Sequence, residues 1–205
     1  MNVNRRTQAE RTAATRAALV AAGRELFGEL GFAAVGTQAI VERAGVTRGA
    51  LYHQFDGKRG LFAAVYDDVE RDVTADIASA VGELAMRDPV AALRSGAQRF
   101  LQLITAPEIH RITLVDAPAV LGWAQWRARG EEFGFALVEG LLQAAISVGQ
   151  IADQPTRPMA HVAIGALDEA ALYVAAADDR EKATAEVTRV LDQLIDGFTV
   201  ARDKT

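Results

Sequence analysis

The stretch TQAIVERAGVTRGALYHQFDGK, residues 37–58, restricts the fold more than any other part of the chain. It reads as two short helices joined by a tight turn. Ile40 and Val41 point inward from the first, and Gly45 supplies the positive-φ corner that a side chain would oppose. Val46 fills the space beneath that corner. Thr47 has the side chain of a helix N-cap. Leu51 and Phe55, at i and i+4, bury one face of the second helix. That leaves Arg48, Gly49, Tyr52 and His53 on the other face. Such an arrangement is expected of a helix-turn-helix that presents its second helix to DNA.

The charge distribution agrees. The 205-residue chain has a net charge of −5, which argues against a wholly basic nucleic-acid binder. Residues 1–60 nevertheless carry a net +4, and the remainder −9. A basic front on an acidic body can touch phosphate locally. Half the residues are hydrophobic and about a quarter charged, a globular composition with material for a real core. The chain contains no cysteine, so it has neither a disulfide framework nor a thiolate metal site. No uninterrupted apolar run approaches the ~18 residues of a membrane span. The polar N-terminus lacks the apolar region of a signal peptide. These features fit a cytoplasmic protein with no membrane partner.

A scaffold helix is expected over residues 8–30. It is rich in Ala, Glu, Arg and Leu, with Leu19, Ala22, Leu26 and Phe27 on one face and Gly31 as its stop. Gly36 or Thr37 opens the second helix, where the Thr37 hydroxyl and free N–H groups can hold a phosphate. Arg48 is the best base reader on chemical grounds, because a guanidinium pairs with guanine O6 and N7 together. The Ala50 methyl suits a thymine methyl. Arg5 and Arg6 lie on an N-terminal arm that either reaches phosphate or a minor groove or is a solvated tail.

The run AGVTRGALYHQF, followed by Gly57-Lys58 and Leu61-Phe62, closely resembles the signature of the tetracycline-repressor (TetR) family. The pattern of an Ile, Ala-Gly-Val, a Ser/Thr cap, Leu-Tyr, Phe and Lys appears as Ile40, Ala44-Gly45-Val46, Thr47, Leu51-Tyr52, Phe55 and Lys58. Val41 stands where Ala is commoner, and Gly36 where Thr or Ser is often found. The resemblance implies DNA contacts at Thr37, Gln38, Arg48, Gly49, Ala50, Tyr52, His53 and Lys58; the Arg5-Arg6 arm and the Thr47 cap, read from the residues themselves, complete the expected DNA-binding set. Within it, Thr37, Tyr52 and Lys58 would contact phosphate, and Gln38, Arg48, Gly49, Ala50 and His53 would face the groove.

The implied fold is all-α. A three-helix DNA-binding domain, residues 1–57, precedes a larger effector-binding and dimerisation domain, residues 58–205, with about nine helices in total. A long helix over 58–86 carries an apolar stripe from Leu61 to Val81. At ~1.5 Å per residue it would span on the order of 40 Å. Asp88-Pro89 restarts the chain. Thr105 to Glu108 reads as a capping box, and Pro118 as an end or bend. Asp178 with Glu181 reads as another capping box.

A small-molecule cavity is expected among Phe100, Leu103, Ile104, Trp123, Trp126 and Phe133, with His110, Arg111, Asp116 and Glu139 as polar contacts. The same residues also suit an ordinary core. Two Ala-rich and apolar C-terminal helices suit a symmetric four-helix dimer interface, expected from Leu167, Ala170, Ala171, Val174, Val187, Leu191, Leu194, Ile195 and Phe198. No metal, cofactor or catalytic constellation is expected: the three histidines lie far apart, and no phosphate-binding glycine loop or nucleophile motif occurs. The sequence therefore predicts a homodimeric, ligand-responsive repressor with a near-palindromic operator and an effector of unknown identity. The alternatives are a helical ligand-binding or protein-interaction module without DNA binding, and a small all-α enzyme.

Overall fold

The computed structural model describes residues 7–200. Arg5 and Arg6 lie outside the described residues. Helices account for the regular structure, and the described residues contain no strand beyond an isolated bridge between Ile151 and Thr199. Among the described residues there are ten α-helices and one π-helical turn. Counting the stretch 107–121 as one broken helix, the described residues hold nine, as expected.

The chain packs as two compact units: Met1–Val69 with Pro107–Trp123, and Glu70–Ala106 with Ala124–Thr205. The first is larger than the 1–57 domain expected from sequence. It takes in the start of the long helix and a segment from the middle of the chain.

In the first unit, α1 (Gln8–Leu30) opens on a complete capping box, in which the Thr7 hydroxyl accepts from Glu10 N–H and the Glu10 carboxylate accepts from Thr7 N–H. It ends at Gly31, whose φ of 82° suits glycine. Helix α2 (Thr37–Ala44) and helix α3 (Arg48–Gln54) follow. Helix α4 (Gly57–Arg87) then begins in this unit and continues into the second. Leu19, Phe27, Ile40, Leu51, Leu61, Phe62 and Val65 are all fully buried. Phe62 meets Phe27 and Phe32 edge-on, at centroid distances of 5.3 and 5.2 Å.

The inserted segment comprises α6 (Pro107–His110), a π-helical turn (Arg111–Asp116) and α7 (Ala117–Leu121). Two of its polar side chains hold the end of α1. The Asp116 carboxylate accepts from Phe32 N–H at 2.7 Å, and the Arg111 guanidinium donates to the Glu29 carbonyl at 2.6 Å. Arg24 pairs with both Asp68 and Glu108. A Cβ at Gly28 would lie 2.7 Å from Glu108 Cγ, so a larger residue there would displace the Glu108 side chain. Two sequence expectations change in this region. Thr105 caps nothing forward; its hydroxyl donates back to the Gln102 carbonyl. Pro118 sits in the first turn of α7, where its missing N–H costs nothing, and Gly122 at φ 84° makes the break.

The second unit contains the rest of α4, α5 (Pro89–Ile104), α8 (Trp123–Ser147, from Ala124 onward), α9 (Thr156–Ala176) and α10 (Arg180–Phe198). Asp88 caps α5 as expected. Asp179, not Asp178, caps α10, accepting from Lys182 N–H. Arg94 ties α5 to Asp192 and Asp196 of α10.

The expected dimer residues are largely core residues of their own chain. Ala170 and Leu191 share a buried cluster with Ala97 and Leu101, with Leu167 and Val187 packed against it. Ala171 and Val174 are buried, and Ile195 and Phe198 pack on a second cluster around Leu142 and Met159. Of the expected set, only Leu194 is exposed; Val162, Tyr173 and Val190 are the other exposed large apolar residues on α9 and α10. The reason is that each helix is apolar on two sides, and helical spacing does not say which side the chain covers itself.

Helix α9 is also long and apolar enough, by length and composition, to cross a membrane. The expectation from uninterrupted runs missed this because Arg157, His161, Asp168 and Glu169 punctuate the Ala-rich stretch. Those charges tie it to α8: Arg127 pairs with Asp168 at 3.1 Å and with Glu131 at 3.3 Å, and His161 lies 3.5 Å from Glu131. Burial pushes the Asp168 carboxyl up to about 6; Arg127 opposes the rise and Glu131 adds to it. A carboxyl whose folded value lies above its unfolded one binds more protons when folded. Its contribution therefore grows as pH falls through 6, and levels off below the unfolded value. Denaturant unfolding should show stability higher at pH 5 than at pH 8 by on the order of 1 kcal/mol from this group. Asp168→Asn should flatten that dependence; an unchanged slope would assign it to other groups.

Candidate nucleic-acid interface

The reader is built by local chemistry. Ile40, Val41 and Leu51 are buried, and Phe55 is 8 % exposed, so one face of α2 and α3 is fixed against α1. Gly45 adopts the left-handed conformation at φ 66°, and its N–H closes the α2 terminus. The Thr47 hydroxyl accepts from Ala50 N–H at 3.2 Å, capping α3. Thr47 therefore acts first as a cap.

The opposite face is polar and open. Gln38, Arg48, Gly49, Tyr52 and His53 are exposed, and Thr37 and Ala50 are half-buried. A Cβ at Gly49 would come no nearer than 3.9 Å to the Thr47 hydroxyl. The glycine is therefore not demanded by packing within the chain. Gly36 at the N-cap of α2 offers no side-chain bond to that helix.

Three expected contacts converge. The Arg48 guanidinium lies 5.8 Å from the Tyr52 ring centroid. The Arg48 guanidinium beside it holds the Tyr52 phenol below its usual value, with a smaller contribution from Thr37. Thr37 from α2 and Arg48 and Tyr52 from α3 thus form one polar group at the start of α2. The sequence offers Arg48 as the best base reader; in the structure its guanidinium also lies beside the Tyr52 ring.

Gln38 is also engaged: its Nε2 donates to Glu42 Oε1 at 2.6 Å. Glu42 was not singled out from sequence, although i, i+4 spacing on one helix is the signal that would have found it. His53 is exposed and has no charge partner among the contacts described for it.

Lys58 departs furthest from expectation. Its ammonium donates to the Phe32 and Val35 carbonyls, each at 2.8 Å, and sits 4.0 Å from the Phe32 ring centroid. The side chain is turned into the fold, where its ammonium holds the loop between α1 and α2.

The expected effector residues divide between the units. His110, Arg111, Asp116 and Trp123 belong to the first, where Arg111 and Asp116 are spent on α1 and Trp123 is 59 % exposed. Phe100, Leu103, Ile104, Trp126, Phe133 and Glu139 belong to the second. Ile104 and Trp126 are buried there, Phe133 lies under Arg71, and Glu139 accepts from the Thr156 hydroxyl. Among the described residues, no cluster of His, Cys, Asp and Glu has the arrangement of a metal site.

The family comparisons agree with this geometry at both ends of the chain. Residues 19–65 match the family described as bacterial regulatory proteins, tetR family, and residues 90–198 match the tetracyclin repressor-like C-terminal domain. A TetR-family transcriptional regulator from Pectobacterium atrosepticum superposes with a TM-score of 0.82 at 31% identity, over 95% of this chain and 98% of that one. The transposon Tn10 TetC protein of Escherichia coli is 27% identical over 148 residues, covering 72% of this chain and 74% of TetC. An HTH-type transcriptional repressor of Mycobacterium tuberculosis is 34% identical over 115 residues, 55% of this chain and 58% of the repressor. With a DNA-reading N-terminal helix-turn-helix and a matching helical C-terminal domain, the chain belongs to the tetracycline-repressor (TetR) family of DNA-binding transcriptional regulators.

Proposed function

We propose that this regulator is a cytoplasmic homodimeric repressor that lays α3 of each subunit in a major groove of a near-palindromic operator and is released by a small-molecule effector. The observation that carries the reading is the open polar face of the reader. Arg48, Tyr52 and Thr37 converge beside an uncapped helix start while the opposite face is fully packed. Phosphate contacts from such a group set the register on the duplex, and neighbouring groove contacts supply sequence.

The dimer reading rests on α9 and α10, which leave Val162, Tyr173, Val190 and Leu194 exposed on a single subunit. A two-fold pair of readers needs half-sites about one helical turn, or a related spacing, apart. The effector reading rests on the C-terminal domain match and on the apolar residues of the second unit, Phe100, Leu103, Ile104, Trp126 and Phe133. An effector that prefers one arrangement of the readers weakens DNA binding by the same factor as DNA weakens effector binding. The coupling is typically about 1–3 kcal/mol.

The test is a gel shift with DNA flanking the chain's own coding region, at low and moderate salt, with sedimentation of the free protein in parallel. A specific, salt-sensitive complex of two subunits per site is expected. Absence of any specific complex at low salt would defeat the repressor reading and favour a ligand-binding module. A monomer at micromolar concentration would defeat the dimer.

A further inference from the structure

The bond between Gln38 and Glu42 has a consequence for sequence reading. A glutamine amide has a donor end and an acceptor end, and a free one rotates to suit either kind of base edge. A carboxylate only accepts. At 2.6 Å from Glu42 Oε1, the Gln38 group facing it must be the amide nitrogen. Turning the amide over would set two acceptors against each other. Arg43, the adjacent cation, does not compete for Glu42, because it is paired with Glu25 of α1. Gln38 is exposed, so its carbonyl oxygen and second amide hydrogen remain on offer.

We propose that Glu42 is a specificity-positioning residue: it locks the Gln38 amide in one orientation, so that its free edge reads adenine and rejects the other bases at one operator position per half-site. Adenine presents the matching pattern in the major groove, an N6 donor for the amide oxygen and an N7 acceptor for the amide hydrogen. The Glu42 carboxylate adds a bias of its own. It repels the acceptors of guanine and thymine and tolerates only an amino donor nearby. The inference rests on the proposed groove contact of Gln38, and its test separates the two.

Operator sites are selected from random duplexes by the full-length protein, and single-base variants are then compared by competition binding for wild type, Glu42→Gln, Glu42→Ala and Gln38→Ala. Wild type should prefer adenine at one position of each half-site. Both Glu42 variants should reduce that preference about fivefold or more, the scale of one bidentate base contact. Preference at all other positions should stay unchanged. Glu42→Gln keeps the size and helix propensity of the residue, and thermal unfolding of each variant controls for folding. A merely structural role would change affinity for every site by one factor and leave the preference intact, which overturns the proposal. If Gln38→Ala abolishes the preference and neither Glu42 variant alters it, Gln38 reads unaided and Glu42 has no such role. If all three variants retain the preference, the groove contact of Gln38 falls as well.

Discussion

Replacing Lys58 by methionine is expected to destabilise the DNA-reading unit by about 2–4 kcal/mol. Methionine keeps the apolar stem and removes the ammonium. The Phe32 and Val35 carbonyls, each now 2.8 Å from Nζ, lose a charged donor. Hydrogen bonds to charged groups contribute about 1.5–3 kcal/mol in such settings. The cation over the Phe32 ring, 4.0 Å from its centroid, adds about 0.5–1 kcal/mol. Both carbonyls belong to the 31–36 loop that hands α1 over to α2, so the loop would loosen at the point where α2 is aimed. Chemical denaturation followed by circular dichroism measures the loss. The competing account, in which Lys58 binds phosphate, predicts unchanged stability and a salt dependence of DNA binding shallower by about one unit of slope. That result would return Lys58 to the DNA interface.

Phe62→Ala is expected to have the largest effect in the first unit, about 3–5 kcal/mol. The ring is fully buried. It stands edge-on to Phe27 of α1 and to Phe32 of the following loop, with interplanar angles of 65° and 78°. Truncation removes both aromatic contacts, each about 0.5–1.5 kcal/mol beyond burial, and leaves a cavity between α1, α4 and the loop. Specific DNA binding should disappear with the fold of the reader. Phe62→Leu should recover much of the loss by filling the volume without the ring geometry. Equal stability of wild type and the alanine variant in urea would show that the three rings do not form the structural centre of the reader.

The reader was legible in the sequence because its signals are local. The Thr47 cap acts on Ala50, three residues away. Gly45 turns because of its own φ, and Leu51 and Phe55 bury one face because they are a helical turn apart. The same holds for Gly31 and Asp88, although not for Thr105 and Asp178, whose side chains had nearby competitors. Gln38 and Glu42 were equally local. The pair was missed because Gln38 was read outward, toward DNA, and not along the helix to its neighbour.

What the sequence by itself determined is the succession of helices, the identity of the DNA-reading pair and the family. These follow from periodicity, caps and glycines that act within a few residues. Only the tertiary structure decided which partner each polar or apolar side chain takes. Asp116 caps Phe32 N–H and Arg111 holds the Glu29 carbonyl across 84 and 82 residues of chain. For that reason, a segment that sequence assigned to an effector pocket packs with the reader. Lys58 turns inward because two carbonyls of a distant loop lie within its reach. Ala170 and Leu191 are core because α5 covers them, while Leu194 remains exposed. Apolar spacing establishes that a helix face is to be covered. What covers it depends on the long-range packing of other helices, and no local pattern carries that information.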